Sequence, residues 1–238
     1  MRPRQAIKLT LILTLFLSAW VASQATFAAE AKPNILIILA DDLGFSDLGC
    51  YGSDIATPNL DRLAANGLRF TQFYNTARCW PTRGALITGY HAQQILMDQT
   101  KGLLPHWTRT LPQQLEPLGY RSYHSGKWHV SGAPHPVADA GFNHSYDLED
   151  HDRNFNPRRI LEDDQPLPPV AKDSGYYTTT AFADHAIRCL KEHEEKHAGQ
   201  PFFSYLAFTA PRRKRVGRRA VPGSEGVCRI FRRCSRQP

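Results

Sequence analysis

The sequence predicts an α/β fold, a mostly parallel central sheet flanked by helices. Two almost wholly apolar runs of strand length, residues 34–40 (NILIILA) and 202–208 (FFSYLAF), have the pattern of strands covered on both faces. Segments of helical period lie between them, most plainly at 57–67 and 176–198. Strands that alternate with helices lie side by side in parallel, joined by helical crossovers.

The first run is bounded by Pro33 and by the acids Asp41 and Asp42, and reads as a central parallel strand. Its carboxyl end is where open α/β sheets place ligands. In ATPNLDRLAANGLRF, Thr57 caps a short helix, Pro58 fills its first turn, Leu60, Leu63 and Ala64 form its apolar face, and Gly67 ends it. LRFTQFYN, residues 68–75, follows as a second strand. A helix over 82–87 begins just after Cys79 and Pro81, another over 110–118 ends at Gly119, and YRSYHSGKW has strand character up to Gly126. Residues 133–170 are rich in Pro, Asp, His and Asn and read as a long irregular region. Along 176–198 the residues Ala181, Phe182, Ala186, Cys189 and Leu190 recur at helical spacing, which makes Cys189 a core residue.

The chain ends differ from this body. Arg2, Arg4 and Lys8 precede an apolar stretch and then SQATFAAE, the build of a secretory signal peptide over residues 1–28, with cleavage after Ala28 or Ala29. The apolar stretch is shorter than the roughly 20 residues that span a bilayer, so no stable membrane insertion is expected. Export to the periplasm or the exterior is. The formal charge of +7 is confined to residues 212–238, which hold ten Lys or Arg and one acid; the other residues carry 19 basic and 21 acidic side chains. Such a block is expected to be disordered, and the break in composition after Pro211 predicts a truncated or frame-shifted product. An exported chain seldom meets nucleic acid, and aromatic residues are almost absent from the tail, so no nucleic-acid partner is expected. The five cysteines, Cys50, Cys79, Cys189, Cys228 and Cys234, show no zinc-type spacing, and their odd number leaves at least one thiol for another use.

Three short stretches carry chemistry. Asp41 and Asp42 are hard oxygen ligands whose repulsion a divalent cation relieves, although an Asp-Asp pair fits a solvated turn equally well. Cys79 lies at a helix start, where the dipole stabilises anions and lowers a thiol pKa, and Arg83 one turn on supplies a fixed cation. A buried cysteine beside a cap is the plainer reading of that pair. If GKWH is extended, Lys127 and His129 share a face while Trp128 points to the core. An ammonium and an imidazole so placed can bind an anionic ester and protonate its leaving oxygen.

Together these stretches resemble a known family. CWPTRGALITG is similar to the C-x-P-x-R-x-x-x-x-T-G signature of formylglycine-dependent sulfatases. The strand before Asp41 and Asp42, the block CYGSDIATPNLDRLAANGLRF, GKWH and PFFSYLAFTAP look like arylsulfatase segments in the expected order, over roughly residues 33–211. The resemblance implies an alkaline phosphatase/sulfatase-like fold, represented by the N-terminal part of the catalytic domain (29–211), and a sulfuric ester hydrolase. It further implies that a formylglycine-generating enzyme converts Cys79 to Cα-formylglycine, whose hydrate attacks sulfur. Asp41, Asp42 and residue 79 would ligate Ca²⁺, with Mg²⁺ less favoured. Arg83 would steady the formylglycine, and Lys127 and His129 would bind the sulfate of a small-molecule or carbohydrate ester.

The chain departs from the family pattern in places. Trp80 replaces the small residue common after the cysteine, and Arg212 stands where the family has a histidine. A downstream Asp-Asn pair, a further lysine and a smaller C-terminal domain are absent from the sequence. Activity of the chain as given is therefore not expected. The alternatives are a non-catalytic remnant and a formylglycine-dependent phosphoester or phosphonate hydrolase.

Overall fold

A computed structural model describes residues 31–98 and 104–211. The leader expected over 1–28, the basic tail 212–238 with Cys228 and Cys234, and Arg212 lie outside the described residues. The described residues from Asn34 to Pro211 belong to one compact unit.

The predicted α/β sheet is present. Its strands are β1 (Ile35–Leu39), β2 (Arg121–Gly126), β3 (His144–Leu148), β4 (Ile160–Glu162), β5 (Gln165–Leu167) and β6 (Phe202–Ala207). They lie in the order β1-β6-β2-β3-β4-β5, with the first four parallel and β4 and β5 added antiparallel. The helices are α1 (Pro58–Ala65), α2 (Cys79–Thr88), α3 (Leu111–Leu115) and α4 (Thr178–Lys196). Alternation along β6 divides the core. Phe203, Tyr205 and Ala207 face a cluster with Ile87, Trp128 and Phe142, and Leu206 faces Phe182, Ala183 and Ala186 of α4. Cys189 is buried there as expected, and burial pushes its thiol up to about 12.

Parallel pairing fixes where chemistry can occur. Leu39 pairs with Ala207 and Ala207 with Gly126, so the loops leaving β1, β6 and β2 emerge on one rim. The close approach at that rim requires glycine: Gly126 has φ +117°, and a Cβ there would stand 1.9 Å from the Ala207 carbonyl oxygen. Lys127 N–H donates to the same oxygen at 2.8 Å, which starts the GKWH segment in a fixed direction.

Four expectations need correction. The first strand is at the sheet edge, with all five residues half-buried, because its outer side has no neighbouring strand among the described residues. Residues 68–75 form no strand, since no strand among the described residues pairs with them; Leu68, Phe73 and Tyr74 are 89%, 78% and 86% exposed. The region 133–170 is more ordered than its composition suggests. It supplies β3 and a β4–β5 hairpin whose turn residues, Asp163 and Asp164, have φ +49° and +64°, a left-handed geometry that Asp tolerates. Finally, Thr57 takes the N-cap position of α1 without a capping bond. Its hydroxyl instead accepts from Gly49 N–H and donates to Asp61, and the helix ends at Asn66 rather than Gly67.

The exposed aromatics give a direct expectation. Phe73→Ser with Tyr74→Ser should raise the soluble yield of residues 29–238 without lowering the thermal midpoint, because both side chains are largely exposed and the ring that Phe73 meets, Phe70, is itself exposed. A fall in the midpoint would show that the pair contributes to folding.

Candidate active site

The rim of the sheet gathers the residues that the sequence singled out. Asp41 follows β1 and is buried. Its Oδ2 accepts from Lys127 Nζ at 2.8 Å and its Oδ1 from Arg83 Nη2 at 3.2 Å. Burial alone would raise the Asp41 pKa, but the Lys127 and Arg83 charges outweigh it and hold the carboxyl below its usual range. Asp42 is exposed and sits at φ +59°, a left-handed backbone uncommon outside glycine. That kink lets two successive acids serve one place: the ligand atoms of Asp41, Asp42 and Cys79 lie within 4.8 Å of one another.

Cys79 is the first residue of α2, and the helix begins three residues earlier than predicted. Arg83 is 1% exposed. Besides Asp41, its guanidinium donates to the Lys127 carbonyl at 2.6 Å, the Tyr205 hydroxyl at 3.4 Å and the Phe208 carbonyl at 3.5 Å. Arg83 therefore ties α2 to β1, β6 and the segment after β2, a wider role than a contact with residue 79. Its Nε has no hydrogen-bond partner among the described residues.

GKWH is not a continued strand, since β2 stops at Gly126 and His129 has φ +54°. The side chains nonetheless separate as expected. Lys127 turns to Asp41, and Trp128 enters the core, where its Nε1 donates to the Ala133 carbonyl at 2.6 Å. His129 is half-buried and packs against Trp80, with ring centroids 5.6 Å apart.

Two further residues reach this rim, Asp147 on β3 and His151 just after it, where the sequence reads as irregular chain. Asp147 Oδ1 accepts from Trp128 N–H at 3.1 Å and so holds the GKWH segment in place. Burial lifts its pKa to about 7 despite that bond and one from Leu148 N–H. His151 lies 4.8 Å from His129, ring to ring. Burial, followed by the nearby Lys127, His129 and Arg83 charges, lowers its pKa to about 3. The missed signal was an Asp and a His near the end of a strand-length segment, visible only once β3 is recognised.

Buried histidines set the acid sensitivity. Burial is the largest cause for His124, His151 and His185, each held neutral with a pKa of about 3, while Asp147 is raised to about 7. The unfolded chain takes up protons on the histidines below their ordinary value of 6.5, whereas the folded chain takes one up on Asp147. Three sites oppose one, so stability is expected to be full above pH 6.5 and to fall as the pH drops from there toward 3. Each fully engaged histidine contributes a slope of about 1.4 kcal/mol per pH unit. Urea midpoints at pH 7 and pH 5 should show the drop; an unchanged midpoint would contradict the assignment of neutral histidines.

The parallel strands and the rim, where three groups that could hold a metal ion meet two buried cations, define an α/β protein with a candidate active site at the ends of its strands. Comparison with known proteins gives the particular family: the Sulfatase family model matches residues 33–213, and the chain belongs to that family, as a sulfuric ester hydrolase homologue. It is 35% identical over 216 residues to an uncharacterised sulfatase of Schizosaccharomyces pombe, an alignment covering 77% of this chain and 38% of that protein. It is 30% identical over 213 residues to an arylsulfatase of Klebsiella aerogenes, covering 80% of this chain and 45% of the relative. Among solved structures, one in complex with its substrate D-glucosamine-2-N,6-O-disulfate matches with a TM-score of 0.63 and 28% identity, over 76% of this chain and 35% of that one. The chain thus spans less than half the length of these relatives.

Proposed function

We propose that the rim formed by Asp41, Asp42, Cys79, Arg83, Lys127 and His129 is one side of a sulfuric ester hydrolase site that uses Ca²⁺ and a formylglycine made from Cys79. The observation that carries this reading is the convergence of Asp41, Asp42 and Cys79 within 4.8 Å, with Lys127 and Arg83 bonded to Asp41. The donor set fits a hard cation in kind, two carboxylates and, after conversion of the thiol, an oxygen at residue 79. It falls short of the six to eight oxygens that Ca²⁺ takes, so further ligands are required. Bound calcium would polarise sulfate oxygens and favour the ionised nucleophile.

The chain's own residues have distinct tasks in this reading. Asp41 holds Lys127 by an ion pair and aims it at the rim, where the ammonium grips a sulfate oxygen. Arg83, fixed by its carbonyl and carboxylate partners, steadies the start of α2 and with it residue 79. His129 orients the nucleophile and contacts the sulfate. Asp147 and Trp128 hold the backbone that carries both substrate-facing side chains.

Export through the leader fits this reading, as does a formylglycine-generating enzyme as a maturation partner. Among the described residues no helix is long and apolar enough to cross a membrane. The structural neighbour with a disulfated sugar supports a sulfated carbohydrate as the substrate class, beside a simple aryl sulfate. Residues 29–238 alone are expected to give no measurable turnover, since Asp41, Asp42 and residue 79, the group found among the described residues, offer too few oxygens for Ca²⁺.

Comparison of p-nitrophenyl sulfate with p-nitrophenyl phosphate tests the reading in a protein continued past Pro211 to the length of its relatives. Calcium-dependent cleavage of the sulfate in preference to the phosphate is expected. Preference for the phosphate would favour the phosphoester hydrolase instead.

A further inference from the structure

We propose that Arg78 is a specificity-determining residue that receives a second anionic group of the substrate, a carboxylate or second sulfate on the leaving group, with Trp80 holding its guanidinium in position. The inference rests on the sulfate-pocket reading above and extends it outward from residue 79.

Arg78 immediately precedes Cys79. Its backbone is extended, with φ −133° and ψ 155°, and its side chain makes no capping bond to α2. The side chain is exposed, but it is not simply solvated: its guanidinium carbon lies over the Trp80 ring, 5.0 Å from the centroid. The indole is itself anchored. It packs partly against the core and meets the His129 ring at 63°, while His129 meets His151. A row of rings therefore links the guanidinium to the sulfate-facing imidazole.

Charge explains what such a cation is for. Among the described residues no carboxylate lies within ion-pair distance of Arg78, and the buried acid of the site is already shared by Arg83 and Lys127. A cation at the positive end of α2 is unfavourable without an anion to meet it. The planar fork of arginine suits a carboxylate or a sulfate, and stacking on the indole reduces the freedom lost on binding. An ester with a second negative group would give Arg78 the counter-charge that no ion pair among the described residues supplies.

Ligand-observed titrations of the full chain with D-glucosamine 6-sulfate and D-glucosamine-2-N,6-O-disulfate test the proposal. The wild type should bind the disulfate about fivefold more tightly or better. Arg78→Ala should remove that preference while leaving monosulfate affinity unchanged, Arg78→Lys should restore part of it, and Trp80→Ala should weaken it. Equal affinities in the wild type, or a preference that survives Arg78→Ala, would overturn the role of Arg78. Lys127→Gln distinguishes the underlying reading, because it should weaken both ligands alike. If it weakens neither, the sulfate pocket is wrong, and Arg78 still stands or falls by its own effect on the disulfate.

Discussion

Asp41→Ala is expected to abolish cooperative folding of the chain, or nearly so. The carboxylate is the shared partner of two cations that are themselves 1% and 2% exposed, Arg83 and Lys127. Truncating it leaves both charges in a dry site. Removing one partner of a buried ion pair costs about 3–5 kcal/mol, against a total stability on the order of 5–15 kcal/mol for a domain. Arg83 keeps carbonyl partners, so the larger share of the penalty falls on Lys127. The exposed Asp42 provides the control. Asp42→Asn tolerates the left-handed backbone and should leave the denaturation midpoint within about 0.5 kcal/mol of wild type while weakening calcium binding. If Asp41→Ala unfolded no more readily than Asp42→Asn, the buried charge triad would not be a structural support.

The second large effect concerns the nucleophile. In a protein continued to the length of its relatives, Cys79→Ala should lower turnover of an aryl sulfate by roughly 10⁴-fold or more, as loss of a covalent nucleophile does elsewhere. Cys79→Ser should be almost as severe, since a serine is not a substrate for oxygen-dependent conversion of a thiol to an aldehyde. Neither change should unfold the chain, because Cys79 is only half-buried at the first turn of α2. Cys189→Ala should do the reverse. It touches the buried face of α4 and should lower the thermal midpoint without altering turnover. Loss of activity in Cys189→Ala at an unchanged midpoint would contradict its place in the core.

Several features were legible before any coordinates because their physical signals are local. Apolar runs bounded by Pro33, by the acids and by Gly126 marked β1, β6 and the end of β2, and helical spacing of Phe182, Ala186 and Cys189 marked α4 and its buried face. The site acids, Cys79 and GKWH were legible as motifs, while their meeting depended on parallel pairing of distant segments. β1 was read as central because its side chains are apolar on both faces; neighbours, which no local pattern records, decide edge or centre. LRFTQFYN has strand composition without a partner strand, so composition misled there. Conversely, β3 is polar enough to hide. Ser145 and Asp147 are buried through bonds to His124 and to Trp128 N–H, and that tertiary satisfaction leaves no periodic trace in the sequence. Asp147 and His151 went unnoticed for the same reason.

The account depends most on the fate of the Cys79 thiol, and mass spectrometry of the tryptic peptide Cys79–Arg83 reads it directly. The chain should be isolated from cells that contain a formylglycine-generating enzyme. The account predicts a peptide with the mass of the aldehyde in place of the thiol, lost when the same cells carry Cys79→Ala. Finding only unmodified cysteine in the chain from those cells would contradict it.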